Sequence, residues 1–393
     1  MALCAVATLG FQAELGTVAR FAPTDLFVLL AVLFGGLAVT YRAGTVVLPA
    51  LLFPPALVLM LAPVVARGHL PSIHSLVVKI GGAFILAVSY LIWQHHFRSS
   101  EARRQAVALF MVGGMLISLA GLATWFGASY PFSDVLFFQR ARYVGGLVDP
   151  NNFGAFMACA LIFSILCFPY PFRARWVASV NVVAAAIFLA MSTSRGAWVA
   201  AVVVLGAAMF AFGRVRVRHF VVTGVVGVLA VAFGLVEMAN SEFSGRPDNV
   251  GDRLNQVDIG LDLAMGSPFT GIGLGEFQLY HDGIIHNSLM WLWVEGGAVG
   301  VILFLSFAIS PMLHMLGATP AALPHERRLL EGLLGAHLCM LVVSIGIEAT
   351  YQRYWWFYLA MSTSVVREIH ARSAATADSS RVARDLESGP VIS

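Results

Sequence analysis

Residues 245–300 read GRPDNVGDRLNQVDIGLDLAMGSPFTGIGLGEFQLYHDGIIHNSLMWLWVEGGAVG. Up to residue 286 this stretch is the one long polar interval between apolar segments, and from residue 287 it begins an apolar helix. His286 stands where the two parts meet, so an imidazole lies at a boundary between water and apolar surroundings. We therefore expect the chemistry of the chain to be centred on this stretch.

The remainder of the chain is strongly apolar. Hydrophobic residues make up 59% of it and charged residues 11%, whereas soluble domains carry about 25% charged residues. Apolar runs of about 17 to 25 residues recur, and each can cross a ~30 Å hydrocarbon core as a helix. The runs are continuous rather than alternating, which argues against a β-barrel. This composition predicts an all-α, polytopic integral membrane protein.

Eleven spans are expected, or twelve if the interrupted segment 1–19 also crosses the membrane. They divide the chain into N-terminal transmembrane helices (1–238), an external loop with short helices (239–286), C-terminal transmembrane helices (287–366) and a polar tail expected to be disordered (367–393). The eleven runs lie near 25–41, 45–66, 72–93, 105–126, 152–169, 176–193, 196–213, 220–238, 287–309, 329–348 and 350–366.

The arginines indicate the orientation. One set of alternate loops, with the tail, holds fifteen arginines and the opposite set holds eight. Since short loops rich in basic residues stay in the cytoplasm, the long loop is expected outside, which means the periplasm if the cell is Gram-negative. The chain is then expected to be a multi-pass protein of the inner membrane of such a cell.

Several arginines of the minority set are candidate ligands for an anionic lipid head group, because guanidinium forks suit phosphate oxygens. Arg195 lies in a turn so short that the position of its side chain is restricted. Arg253 lies near the start of an expected amphipathic helix. Each arginine also has an alternative role that involves no ligand. Arg195 would extend its side chain to the membrane interface, and Arg253 would form a salt bridge with a nearby aspartate. Arg140 and Arg142 are weaker candidates for the diphosphate, and Arg246 and Arg353 are possible sugar or secondary contacts.

His286 is the candidate catalytic residue, since a neutral imidazole can accept a proton from a hydroxyl near neutral pH. His281 and Asn287 are possible sugar contacts beside it. The glycines of Thr270–Glu276 favour a tight turn, with a phosphate cradle made by their amides as the alternative. We expect Glu295 to pack against or hold another helix.

The four cysteines, Cys4, Cys159, Cys167 and Cys339, lie in or beside apolar segments without a CxxC spacing. We interpret them as small buried side chains, neither a disulfide framework nor a metal site.

The spacing of these residues resembles the signature of the O-antigen ligase and polysaccharide polymerase superfamily. The resemblance is carried by Pro268–Phe277, by His286-Asn287 followed by Gly297 and Gly300, by Thr193–Trp198 and by Asp149–Gly154. Together they cover roughly residues 110–350.

The resemblance implies a membrane glycosyltransferase with a fold of the GT-C type, about twelve helices and a loop over a lateral cavity. Such enzymes move a glycan from undecaprenyl diphosphate to a sugar or lipid A-core hydroxyl, as steps of lipopolysaccharide or exopolysaccharide biosynthesis. By resemblance, Arg195 and Arg253 hold the donor diphosphate, and His286 acts on the acceptor hydroxyl or helps to bind the donor. No cofactor, metal or nucleic acid is expected to take part.

Ligase and polymerase differ only in the acceptor, and the motif fits both. A lipid-linked oligosaccharide transporter would also use arginines, but it should show an internal repeat and charges in several spans; the main charges within spans are Lys79 and Glu295. A scaffold without catalysis is the third alternative, in which the histidine and arginines would be replaceable.

Overall fold

The computed structural model describes residues 2–7, 9, 13–15, 19–35, 48–125, 138–139, 142–143, 145, 147, 149–167, 175–211, 248–281 and 283–387. Most of these residues are helical. The α-helices are α1 (Ala2–Ala7), α2 (Pro23–Gly35), α3 (Leu48–Leu59), α4 (Ala62–Ala66), α5 (Gly82–His96), α6 (Ser100–Trp125), α7 (Pro150–Cys167), α8 (Arg175–Met191), α9 (Arg195–Ala211), α10 (Asp248–Gly266), α11 (Ser288–Ala318), α12 (Pro324–Val343) and α13 (Arg353–Glu387).

Shorter elements complete this description. A π-helix, His74–Gly81, runs into α5, and 3-10 turns span Glu276–Leu279 and Thr319–Ala321. Two antiparallel hairpins pair β1 (Ala13–Leu15) with β2 (Ala19–Phe21), and β3 (Phe138–Gln139) with β4 (Arg142–Tyr143).

The chain is an all-α membrane protein, as its composition predicts. Among the described residues, three segments are long and apolar enough to cross a bilayer, namely Ser75–His96, Pro150–Cys167 and Ser288–Ala321. Shorter apolar helices lie in other expected spans. The span expected at 220–238 lies outside the described residues. The described part of segment 1–19 holds only α1 and hairpin strands, so it shows no spanning helix.

Helix α7 is the centre of the core. Nearly all its side chains are buried, and it runs antiparallel to α12, because Cys167 abuts Gly332 while Cys159 Sγ lies 3.6 Å from the Ala336 carbonyl. Helix α13 runs parallel to α7: Tyr354 lies at the start of α7, and Tyr358 packs on Phe163 further along. Three of the four cysteines are buried as expected, but Cys4 is exposed.

These directions sort the helix termini into two ends. Helices α7, α9, α11 and α13 begin at one end, where α8 and α12 finish. We call it the loop end, because residues 267–281 and 283–287 lie there. The opposite, tail end holds the end of α5 and the starts of α6 and α12. Every candidate site residue within the described segments lies at the loop end.

The expectation of a disordered tail from residue 367 is wrong for residues 367–387, because α13 continues to Glu387. Two ion pairs anchor its lower part: Arg103 with Glu368, and Arg372 with Glu326. Alanine, arginine and glutamate favour a helix once it has begun, and a helix seeded in the membrane extends without a new nucleus. Residues 388–393 lie outside the described part.

Candidate functional site at the loop end

The turn carrying Arg195 is tight, as the sequence indicates. Thr193 adopts a φ of 50°, and Ser192 Oγ accepts a hydrogen bond from the Ser194 amide at 3.3 Å. The turn rests on α7, where a Cβ at Gly154 would come within 2.6 Å of Ser194 Cβ. Arg195 is the first residue of α9 and is exposed, so a rigid turn presents this guanidinium at the loop end.

The hairpin β3–β4 lies against the same turn region. Tyr143 is buried between Phe153 of α7 and Phe188 of α8, with ring centroids 5.2 and 5.8 Å away. The backbone of Arg142, which pairs with Gln139, therefore lies near the start of α7 and the end of α8. Arg140 lies outside the described residues.

Asp149 caps α7, as the sequence allows. Its Oδ1 accepts hydrogen bonds from the amides of Asn151 and Asn152 at 2.6 and 3.2 Å. The Asp149–Gly154 motif thus starts a helix and lets the Arg195 turn approach it closely.

Helix α10 crosses the first turns of α11. Gly260 lies against Met290 and Val294 of α11, and the buried Gln256 lies against Gly283 of the following loop. Arg253 precedes Gln256 by three residues, about one turn, so its backbone lies near the segment that leads to His286. Arg246 lies outside the described residues.

His286 is half-buried and immediately precedes the cap of α11. Asn287 is that cap, and its Oδ1 accepts from the Met290 amide at 2.9 Å. The next residue, Ser288, donates through its amide to the Ser344 carbonyl and through its hydroxyl to the Ile347 carbonyl, both at 2.8 Å. The start of α11 is therefore fixed to the segment between α12 and α13.

The other two expected sugar contacts have local partners. His281 stacks on Phe277 at 5.9 Å, and its Nδ1 accepts from the Gly283 amide at 2.8 Å. Arg353 makes a two-point ion pair with Asp25, at 2.8 and 2.5 Å. The Arg353 guanidinium thus ties α13 to α2, which is a structural role that the sequence did not indicate.

The glycine turn, residues 269–275, is inserted between two broken helices. The amides of Ile272 and Gly273 donate to the carbonyls of Val294 and Glu295 at 2.8 and 2.9 Å, and the Leu274 amide donates to the Met60 carbonyl at 2.9 Å. These three amides are therefore occupied by backbone carbonyls and are not available to a phosphate group. The tight turn predicted from the glycines is confirmed.

The segment 344–354 links the two groups of candidate residues. It receives Ser288, next to His286, and it ends at Tyr354, whose hydroxyl donates to the Asn152 carbonyl beside the Arg195 turn at 3.3 Å. The structure thus brings the backbones of Arg142, Arg195, Arg253 and His286 to one end of one bundle.

Residues 180–305 match the family model described as O-antigen ligase. This match covers about a third of the chain and supports its resemblance to the O-antigen ligase and polysaccharide polymerase superfamily. The matched range contains Arg195, Arg253, the glycine turn and His286. No curated protein matches the chain. The match supports a membrane glycosyltransferase activity of the O-antigen ligase type.

Next to the glycine turn lies a charged cluster that the sequence did not indicate. Glu276 faces Arg67 at 3.5 Å and His69 Nδ1 at 3.3 Å, and Arg67 also donates to the Ile272 carbonyl. More than 200 residues of sequence separate Glu276 from Arg67 and His69. The one signal of this cluster in the sequence is the position of Glu276 directly after the glycine motif. The cluster fixes the loop 67–75 to the glycine turn.

Within the residues that the structure describes, no group of three or more His, Cys, Asp or Glu side chains could hold a metal ion.

Proposed function

We propose that the protein moves a glycan from undecaprenyl diphosphate to an acceptor hydroxyl at the periplasmic face of the bacterial inner membrane. The transfer is metal-independent and inverts the anomeric configuration. The observation that carries the proposal is the position of Arg195, Arg253 and His286 within the O-antigen ligase match and at one end of the helix bundle.

Donor binding falls to Arg195 and Arg253, with Arg142 and Arg140 as further contacts. A guanidinium group stays charged at any physiological pH and offers paired donors to phosphate oxygens. Arginines on a rigid turn and on a helix would stabilise the charge that develops on the departing diphosphate, and fixed groups need little reorganisation to do so.

His286 accepts the proton of the acceptor hydroxyl. The hydroxyl oxygen forms a bond to the anomeric carbon from the face opposite the diphosphate, while the bond from that carbon to the diphosphate oxygen breaks. Undecaprenyl diphosphate leaves with the electron pair, and the proton goes to the imidazole of His286. A single displacement of this kind inverts the configuration.

Arg246 and His281 complete the proposal as secondary sugar contacts. The sequence suggests the same role for Asn287 and Arg353. Asn287 caps α11 and Arg353 pairs with Asp25, so we assign both residues to holding the structure of the loop end.

The same donor chemistry also fits a polymerase of O-antigen or exopolysaccharide, in which the acceptor is the terminal sugar of a growing chain. A deletion strain separates the two: loss of capped lipopolysaccharide indicates the ligase, and loss of repeat-length polymer indicates the polymerase. Transport of the lipid-linked glycan is the less favoured function, because the lysine and glutamate within spans are paired with each other.

Purified protein supplied with a synthetic undecaprenyl diphosphate glycan and candidate acceptors tests the proposal. We expect Arg195→Ala and His286→Ala each to lower the transfer rate by at least about a hundredfold, the scale of a lost general base or charge-stabilising group. Product formation by both variants at wild-type rates would refute the site, and loss of wild-type activity with EDTA would refute the metal-independent mechanism.

Two variants at the tail end serve as matched controls. Arg104 is an exposed arginine near the start of α6, and His325 is an exposed histidine near the start of α12. Arg104→Ala and His325→Ala change the same residue types at helix starts away from the site, and they should keep wild-type transfer.

A further inference from the structure

Lys79 is the single lysine of the chain, and it lies within the candidate span Ser75–His96. Its Nζ lies 3.3 Å from Glu295 Oε2 and 4.4 Å from the centre of the Trp291 ring. The two side chains are 13% and 3% exposed. A buried charge without its partner is strongly unfavourable, so this pair holds the π-helix and α11 together.

Glu295 connects three segments at once. Its carboxylate accepts from Lys79 of the π-helix and from Trp291 Nε1, one turn earlier in α11, at 2.7 Å. Its carbonyl accepts from the Gly273 amide of the glycine turn. The Tyr351 hydroxyl donates to the Lys79 carbonyl at 2.9 Å, which also holds the backbone of the lysine in place.

Helix α11 is broken just beyond this residue. Gly297 has φ 54° and ψ −139°, which is not helical, and the Ala298 amide donates to the Phe269 carbonyl of the glycine turn at 3.1 Å. The piece from Ser288 to Gly296 is therefore not held by the rest of α11 through a continuous hydrogen-bond ladder. Its direction depends on contacts from outside, among which is the pair with Lys79.

His286 is attached to the start of this short piece, two residues before Ser288. We propose that Lys79 and Glu295 are positioning residues: their ion pair sets the pose of the piece 288–296 and of the glycine turn, and thereby the place of the His286 imidazole. This inference rests on the proposed function for the role of His286, but the docking of the glycine turn can be measured without any transfer assay.

The kinetic experiment uses Lys79→Met, Glu295→Gln, Lys79→Arg and the exchanged pair Lys79→Glu with Glu295→Lys, with transfer measured per folded protein. Lys79→Met and Glu295→Gln should lower kcat on the order of 10- to 100-fold, the effect of displacing a catalytic group by about 1 Å, with KM for the donor nearly unchanged. Lys79→Arg should stay near wild type, and the exchanged pair should recover much of the loss.

The second readout follows the glycine turn directly. Ile272 is 4% exposed, so in a Cys4→Ser background Ile272→Cys should resist a membrane-impermeant maleimide. Adding Lys79→Met or Glu295→Gln should make it reactive, and the exchanged pair should protect it again. Glu331→Gln is the matched control, because Glu331 is a buried glutamate paired with Arg327 at 3.2 Å at the tail end; it should change neither readout.

The outcomes separate the two proposals. Wild-type protein that never transfers glycan refutes the proposed function, and the maleimide reaction still decides whether the pair docks the turn. Single variants that melt earlier but keep wild-type kcat and a protected Ile272→Cys would show that the pair only stabilises the fold, which overturns the positioning role.

Discussion

At the scale of single residues, glycine decides how the site is assembled. Gly271 has a φ of 68°, and a Cβ there would lie 2.5 Å from the Glu295 carbonyl atoms. Gly273 has a φ of 99° and a Cβ there would meet Val64. At both positions a side chain is therefore unfavourable for two reasons: the backbone has a positive φ, and the neighbouring atoms leave no space. These glycines let the turn pack between α11 and the break after α3.

Gly273→Ala should destabilise the protein and lower transfer. The left-handed conformation alone costs an alanine about 1–2 kcal/mol, and the contact with Val64 adds to that cost. Thermal unfolding in detergent, with the transfer rate of the folded fraction, measures both effects. Gly206→Ala is the control, since Gly206 lies inside α9 and a Cβ there would have nothing within 4 Å of it; alanine should be neutral or stabilising by up to about 1 kcal/mol. Equal behaviour of the two variants would contradict the argument.

Residues whose roles depend on their neighbours in sequence can be predicted, and those with distant partners cannot. The short spacing between two spans indicates a rigid turn at Arg195. Lys79 and Glu295 are 216 residues apart, and Asp25 and Arg353 are 328 apart. Nothing in one sequence connects them, although an intramembrane glutamate does predict that some partner exists.

At the scale of elements, apolar runs predict where helices lie but not where they break. The run 45–66 predicts one span, yet α3 ends at Leu59 and α4 begins at Ala62. At this break the Met60 carbonyl accepts a hydrogen bond from the glycine turn. At the break in α11 the carbonyls of Val294 and Glu295 do the same. Unpaired backbone is tolerated at membrane depth only where other protein groups satisfy it, and that partner is a loop more than 200 residues away from Met60.

The extension of α13 beyond residue 366 is a second feature that the sequence did not predict. The ion pair that holds this extension can be tested by varying the pH. Arg372 donates to both oxygens of Glu326 at 2.7 Å. Burial would raise the pKa of Glu326, but the hydrogen bonds from Arg372 and from the Leu323 amide outweigh it, so the pKa lies below the ordinary 4.5. A lowered pKa means that the anchor contributes its full stability above about pH 4.5 and loses it as the pH falls through the folded-state pKa.

Hydrogen exchange of residues 372–387 should therefore be slow and constant from pH 7 to about pH 5, after correction for the intrinsic rate, and should accelerate in stronger acid. Glu326→Gln should exchange fast throughout, because the neutral amide cannot replace the ion pair. Glu101→Gln removes an exposed carboxylate at the same end and should leave the profile unchanged. Fast exchange of the wild type at pH 7 would show that the pair does not hold the extension.

At the scale of the whole molecule, the two ends of the bundle should lie on opposite sides of the membrane. Fifteen arginines fall in the loops and tail expected in the cytoplasm and eight in the opposite loops, and the positive-inside rule then puts the loop end outside. In a Cys4→Ser background, Tyr280→Cys at the loop end and His325→Cys at the tail end place single exposed thiols on the two sides. An impermeant maleimide should label Tyr280→Cys in spheroplasts and should label His325→Cys only after lysis. Because a donor diphosphate bound by Arg195 would have to be on the same side as Tyr280, the reverse pattern would refute a periplasmic active site as well as the orientation.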